Sequence, residues 1–221
     1  MKIKVCRVNF YSLFLWFLLA SCGANNGTRE EIPLPPEAEE GNGNLVDGTY
    51  NELYRPQVHF TPAKNWINDP NGMVYADGVY HLFYQYNPKG NDWGNMSWGH
   101  ATSTNLIEWE EQQVALERDA LGDIFSGSAV CDTENTAGFG KGALVAFYTS
   151  AGSHQQQSMA YSTDRGKTFV KYDKNPVIAN SSEPDFRDPK VFWHKETNQW
   201  IMALAKGWKY AIEFWGSSDL K

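Results

Sequence analysis

Two aspartates that stand directly before prolines are well placed in this sequence to do chemistry. Asp69 precedes Pro70, and Asp188 precedes Pro189. Proline biases the preceding residue towards an extended backbone and has no amide hydrogen to donate, so each carboxylate is held on a stiff support. A carboxylate held in this way can act as a nucleophile or stabilise positive charge. The same sequences are ordinary turns, so a structural role stays open.

Short strands and turns must position these carboxylates, because no apolar segment from Tyr54 onward keeps a helical period. The body is therefore predicted to be all-β. Segments 73–76 and 79–86 flank Asp77-Gly78. This two-residue turn favours a type I′ hairpin because both positions tolerate positive φ.

A pattern that recurs three times predicts a β-propeller. In each copy, a motif with an aspartate or serine precedes two strands, and a segment rich in Ser, Thr and Asp follows them. The first residues of that last segment, Ser103, Ser162 and Ser217, are 59 and 55 residues apart. This period suits one four-stranded blade with its loops. A β-sandwich with coincidental strand spacing is the alternative.

The repeat also predicts which side chains meet. Innermost strands line the channel of a propeller, and equivalent positions of successive blades converge there. Asp69, Ser126 and Asp188 belong to the opening motifs of the three copies, so we expect them to face one funnel. Three blades do not close a ring, since propellers use about four to eight. The sequence is therefore expected to be a truncated propeller.

The segment 66–72, Trp-Ile-Asn-Asp-Pro-Asn-Gly, resembles the nucleophile motif of glycoside hydrolase family 32, which includes invertases, inulinases and levanases. The resemblance spans residues 54–221, and Ser97 stands where the family commonly has His. It continues in the family's order through four segments, FYQYNP at 83–88, WGNMSWGH at 93–100, FSGS at 125–128 and FRDPK at 186–190.

This resemblance implies a five-bladed propeller followed by a β-sandwich, and hydrolysis of terminal or internal β-fructofuranosyl linkages in fructans or sucrose with retention of configuration. Asp69 would attack C2 of a fructofuranosyl unit. Asp188 would stabilise the oxocarbenium-like transition state, and Arg187 would keep it ionised and oriented. No metal or cofactor is implied. The positions that match the family's fructose-binding residues are Asn68, Gln85, Trp93, Phe125, Ser126 and Arg187.

The family's general acid is a Glu in a Glu-Cys-Pro segment, which does not occur in these 221 residues. Glu213 alternates with apolar neighbours, which predicts a strand position. Glu183 lies in a loop before Arg187, where a solvated charge is predicted. We therefore expect the chain to stop before its acid/base residue and before the sandwich, and to lack normal activity alone.

The N-terminus has the features of an export signal over residues 1–21. Basic residues precede an apolar run over 10–20 that is too short to span a bilayer. Leu19-Ala20-Ser21-Cys22 resembles the lipobox of bacterial lipoproteins, which predicts acylation of Cys22 and an exported, membrane-anchored protein. A cleaved signal with an unrelated Cys is the alternative. Residues 22–53 are acidic and rich in Pro, Gly and Asn, so we expect a flexible tether.

Composition excludes several classes of function. The formal charge is −7 and becomes about −10 without residues 1–21, so nucleic acid is not expected as a partner. With Cys6 in the signal and Cys22 lipidated, Cys131 would be alone, which excludes an intrachain disulfide framework. The five histidines show no metal-ligand spacing.

Two other functions remain open. Segment 162–169 matches the Asp-box turn of sialidases and other propellers, which supports the architecture. A sialidase would need an arginine cluster for the substrate carboxylate, whereas the body has only Arg55, Arg118, Arg165 and Arg187. A fructan-binding lipoprotein without catalysis is the other alternative, and a reading frame that continues to Glu-Cys-Pro would favour the enzyme.

Overall fold

The computed structural model describes residues 50–221, in which eleven β-strands and one 3-10 helix, Gly207–Lys209, confirm the all-β prediction. No helix in this part of the chain is long and apolar enough to cross a bilayer. The predicted signal, Cys22 and most of the predicted tether lie outside the described residues. The strands are β1 (Ile67–Ala76), β2 (Val79–Tyr86), β3 (Ser97–Ser103), β4 (Glu110–Glu111), β5 (Asp123–Asp132), β6 (Ala143–Ala151), β7 (Gln155–Ser162), β8 (Val170–Lys171), β9 (Phe186–His194), β10 (Gln199–Lys206) and β11 (Ala211–Ser217).

Three antiparallel sheets follow one another along the chain. Their strand orders are β1-β2-β3-β4, β5-β6-β7-β8 and β11-β10-β9. The first strand of each sheet lies at its edge. β1 packs against β5, and β5 packs in turn against β9. This is the arrangement of inner strands in consecutive propeller blades, so the predicted architecture is confirmed for three blades. Closure by two further blades stays a prediction.

The predicted hairpin turn is confirmed. Asp77 and Gly78 both have positive φ, of 50° and 84°, and the pair Ala76 and Val79 closes the β1–β2 ladder. Strand β1 is longer than predicted, because it begins at Ile67 and runs through Asp69. The sequence did not reveal this extension because Pro70 and two breaks in register interrupt the strand pattern.

The repeat serines have equivalent places in the three blades. β3, β7 and β11 end at Ser103, Ser162 and Ser217. Each hydroxyl accepts a hydrogen bond from a backbone amide two to four residues further along the chain. In the second blade this turn is the Asp-box, where Asp164 also accepts hydrogen bonds from the amide and hydroxyl of Thr168. These local bonds explain why a Ser-x-Asp or Ser-x-Asn pattern marks each blade.

The inner strands of the first two blades approach closely at Gly72. A Cβ atom at this position would lie 2.5 Å from Cβ and 2.6 Å from the backbone nitrogen of Ala129 on β5. Any side chain larger than hydrogen would therefore push the strands apart. Buried apolar side chains fill the spaces between the blades, such as Phe83 and Trp98 between the first two and Phe147 and Met202 between the second and third.

Two buried histidines lie in the first blade. His81 Nδ1 and His100 Nε2 are 3.0 Å apart, and both side chains are 3% exposed. Burial lowers the pKa of His81, and burial together with the neighbouring His81 lowers the pKa of His100 to about 3. The pair is therefore neutral in the folded protein at neutral pH.

This histidine pair predicts acid destabilisation. Between the ordinary pKa of 6.5 and about 3, the unfolded chain binds a proton at His100 that the folded protein does not. The free energy of unfolding should therefore fall as pH is lowered, by about 2 kcal/mol from this residue between pH 7 and pH 5. Urea unfolding of the wild type and of His100→Gln at both pH values measures it. An equal pH dependence in the two proteins would contradict the prediction, and exposed His154→Gln is the control.

Candidate active site

Each inner strand has a break in its regular pairing at a residue predicted to be functional. The break in β1 includes Asp69, that in β5 includes Ser126, and that in β9 includes Asp188. A bulge bends the strand and re-aims the side chain next to it. All three residues lie near the beginning of their strands. The structure therefore brings them to the same end of the three inner strands.

A short hydrogen bond joins two of these residues. The hydroxyl of Ser126 donates to Oδ2 of Asp69 at 2.7 Å. The contact connects the inner strands of the first and second blades, and it holds the Asp69 carboxylate in one orientation. Asp69 remains exposed. Its second oxygen, Oδ1, accepts no hydrogen bond from the part of the chain that the structure describes.

Asp188 has a left-handed backbone conformation and a raised pKa. Its φ of 63° lies in the left-handed region, and its side chain is 52% exposed. Burial by the surrounding protein raises the pKa of Asp188, the charge of Arg187 opposes this, and the charge of Asp69 adds to it. The effect of the Asp69 charge on the pKa of Asp188 indicates that the two carboxylates are close to each other.

Arg187 is held mainly by residues other than its neighbour. It forms an ion pair with Asp185 and donates to Oε1 of Gln155 at 3.4 Å. Its Nε lies 3.9 Å from Oδ2 of Asp188, too far for a hydrogen bond. Orientation of Asp188 by a direct hydrogen bond from Arg187 is therefore not found in this structure, and only the electrostatic part of the prediction has a counterpart.

The side chain of Gln85 is buried in the first blade. Its side chain is 2% exposed, and Nε2 donates to the carbonyl of Ile124 at 3.0 Å. The indole of Trp98 donates in the same way to the carbonyl of Phe125 at 3.0 Å. Both bonds run from the first blade to β5 immediately before Ser126. Sugar contact by Gln85 stays a prediction, whereas support of β5 is what the structure shows.

Exposed aromatic and amide groups lie beside the carboxylates. Trp93 is 58% exposed, and its ring meets that of Phe125 edge-on with centroids 6.0 Å apart. Asn68, next to Asp69, accepts a hydrogen bond from the indole of Trp66 at 2.8 Å. An exposed indole face supported in this way is suited to the apolar side of a sugar ring.

The two glutamates considered as acids are paired with lysines. Glu213 lies within β11, as predicted, and Oε1 is 2.6 Å from Nζ of Lys206. Glu183 is 3.1 Å from Nζ of Lys209, so its charge is paired and not simply solvated. Within residues 50–221, no three His, Cys, Asp or Glu side chains are grouped as metal ligands would be.

Comparison with known proteins identifies the family of this site. Residues 59–221 match the family model described as "Glycosyl hydrolases family 32 N-terminal domain". The chain belongs to glycosyl hydrolase family 32. Among family 32 relatives, a levanase from Bacillus subtilis (strain 168) is 55% identical over 182 residues, which cover 75% of this chain and 27% of the levanase.

Solved family 32 structures have the same fold. The exo-inulinase from Aspergillus awamori matches with a TM-score of 0.73 and 45% identity, over 78% of this chain and 39% of that one. A fructofuranosidase from Schwanniomyces occidentalis complexed with fructose matches with a TM-score of 0.74 and 46% identity, over 80% of this chain and 36% of that one. The chain thus spans between about a quarter and two fifths of these relatives.

Proposed function

We propose that the protein containing this chain hydrolyses β-fructofuranosyl linkages in fructans or sucrose with retention of configuration, using Asp69 as the nucleophile. The observation that carries the proposal is the 2.7 Å hydrogen bond that orients Asp69 from Ser126. The pKa of Asp188, raised in part by the charge of Asp69, supports a shared site. The names of the relatives, levanase and exo-inulinase, support the substrate class.

The reaction has two displacements. Oδ1 of Asp69 attacks C2 of the fructofuranosyl unit, and the bond from C2 to the leaving oxygen breaks as an acid protonates that oxygen. Water then attacks C2 of the covalent intermediate and gives its proton to the same group, now a base, and Asp69 leaves as a carboxylate. In such enzymes the two carboxyl groups are about 5 Å apart.

Asp188 stabilises positive charge as the C2–oxygen bond breaks. A carboxylate beside an oxocarbenium-like sugar lowers the energy of the transition state more than that of the ground state. The same carboxylate accepts hydrogen bonds from sugar hydroxyls. In this proposal the fructose subsite is lined by Asn68, Gln85, Trp93, Phe125, Ser126 and Arg187.

The proposal assigns the general acid to a Glu outside these 221 residues, because the family's Glu-Cys-Pro segment does not occur among them. The chain alone is then inactive, since loss of leaving-group protonation costs about 10² to 10⁴-fold. Completion of a five-bladed propeller and a following sandwich belongs to the same proposal.

We further propose an exported lipoprotein with its anchor at Cys22 and a tether over residues 22–53. The apolar run and the lipobox-like segment support this location, and relatives of this chain include an "Extracellular exo-inulinase" from Aspergillus niger. Detergent-phase partitioning of the wild type and Cys22→Ala tests the anchor. A wild-type protein that stays in the aqueous phase would exclude it.

Incubation of the full-length protein with levan, inulin and sucrose tests the activity. We expect released fructose, and NMR during the first turnovers should show it in the β configuration of the substrate. Binding of these sugars with no fructose from any of them, by a folded protein, would indicate the non-catalytic binding alternative. An initial product of inverted configuration would exclude Asp69 as a covalent nucleophile.

A further inference from the structure

Strand β9 is held by a buried serine of the neighbouring blade directly after Asp188. The hydroxyl of Ser128, on β5, donates to the carbonyl of Pro189 at 2.8 Å. The same oxygen accepts a hydrogen bond from the amide of Val191 at 2.9 Å. Ser128 is 2% exposed. Its one hydroxyl therefore satisfies both a donor and an acceptor on the inner edge of β9.

A buried glutamine of the same blade contacts β9 two residues before Asp188. Nε2 of Gln157, on β7, donates to the carbonyl of Phe186 at 2.8 Å. Its Oε1 accepts from the hydroxyl of Thr149 at 2.8 Å, which fixes the amide. Gln157 is fully buried. The second blade thus forms hydrogen bonds to β9 on both sides of Asp188 in the sequence.

The backbone of β9 between these two sets of hydrogen bonds has an unfavourable conformation at Asp188. Asp188 has a φ of 63°, which is unfavourable for a residue with a side chain and persists only where surrounding contacts fix it. β9 lies at the edge of its sheet, so in the described part of the chain no strand pairs with its inner side. The bonds from Ser128 and Gln157 take the place of a neighbouring strand there.

We propose that Ser128 and Gln157 are positioning residues that set the place and direction of the Asp188 carboxylate. The inference rests on the role of Asp188 in the proposed function. The first blade offers a parallel, because Gln85 and Trp98 hold the carbonyls just before Ser126. Buried polar groups of the first and second blades thus hydrogen-bond to the inner strand of the next blade beside its predicted functional residue.

Kinetics of Ser128→Ala in the full-length protein test this role, with Ser150→Ala as the matched control. Ser150 is also a buried serine of the second blade, but its hydroxyl pairs with Ser158 at 2.8 Å. We expect Ser128→Ala to lower kcat by about 10 to 100-fold, because a displacement of about 1 Å is costly at a reacting centre. KM should change by less than about threefold if ground-state binding is spared.

The pH profile separates positioning from general loss of stability. Burial raises the pKa of Asp188, so a looser strand should expose the carboxylate and move the acid limb of kcat to lower pH. Gln157→Met, which keeps the side-chain length without the amide, should act in the same direction. Equal kcat and equal pH profiles for Ser128→Ala and Ser150→Ala would overturn the proposal.

A crystal structure of Ser128→Ala gives a readout that needs no activity. We expect the backbone at Asp188 to leave the left-handed region or to become disordered. An unchanged φ near 63° and an unmoved carboxylate would overturn the positioning role. Absence of fructose release by the wild type would instead contradict the proposed function, and the two failures are therefore distinguishable.

Discussion

Asp69→Asn is expected to abolish fructose release by the full-length protein, lowering kcat by about 10⁴-fold or more. An amide cannot form the covalent ester with C2, whereas the hydrogen bond from Ser126 can be kept by the amide oxygen. The fold should therefore be unchanged. Initial rates on sucrose and levan, together with thermal melting, measure the effect.

The control for this substitution is Asp77→Asn on the same hairpin. Asp77 lies in the turn after β1, its ion pair with Arg165 at 3.5 Å is largely exposed, and Asn tolerates positive φ. Its activity should equal that of the wild type. Asp69→Ala leaves space for an external nucleophile in place of the carboxylate. Azide should then attack C2 in a single displacement and give a fructosyl azide of inverted configuration. Asp69→Asn protein with more than a tenth of wild-type kcat would contradict the assignment.

Asp188→Asn is expected to lower kcat by about 10² to 10³-fold while the nucleophile is intact. The amide keeps the shape of the side chain but removes the negative charge that, in the proposed mechanism, stabilises the oxocarbenium-like sugar. Both displacements pass through such a transition state, so the rates of both steps should fall. Steady-state kinetics on sucrose and the release of a chromogenic leaving group measure the two steps.

The pH dependence of this variant has a definite sign. Burial raises the pKa of Asp188, so in the wild type this carboxylate is protonated at a higher pH than an ordinary aspartate. Removing it should leave a residual activity whose acid limb lies at lower pH. Glu196→Gln, on the exposed turn after β9, removes one negative charge from the same blade and is the control. An acid limb that does not move would contradict the assignment.

Local signals made much of the fold predictable. The Asp77-Gly78 turn needs two residues with positive φ, and the repeat serines bond to amides of their own turns. Such contacts connect residues that are close in sequence, so residue type and spacing carry the information. The motif around Asp69 was predictable for another reason, since it resembles a family whose membership is now shown.

Contacts between blades were not predictable in this way. The amide of Gln85 donates a hydrogen bond to the carbonyl of Ile124, which is distant in sequence, and no local pattern predicts this contact. Ser126 and Ser128 are two residues apart, so a regular strand would place both side chains on the same face. The strand has a break in register between Phe125 and Gly127, and Ser126 bonds to Asp69 whereas Ser128 bonds to β9. A bulge is set by pairing with another strand, so a period-two pattern does not reveal it.

Gly72 determines how closely the inner strands of the first two blades approach each other. It lies three residues after Asp69, and the 2.5 Å between its missing Cβ and Ala129 leaves no room for a methyl group. The spacing of β1 and β5, on which the distance from Asp69 to Ser126 depends, is therefore set by the close approach of these two strands. A displacement of about 1 Å at a reacting centre lowers the reaction rate strongly. The geometry of the proposed site therefore depends on a residue without a side chain.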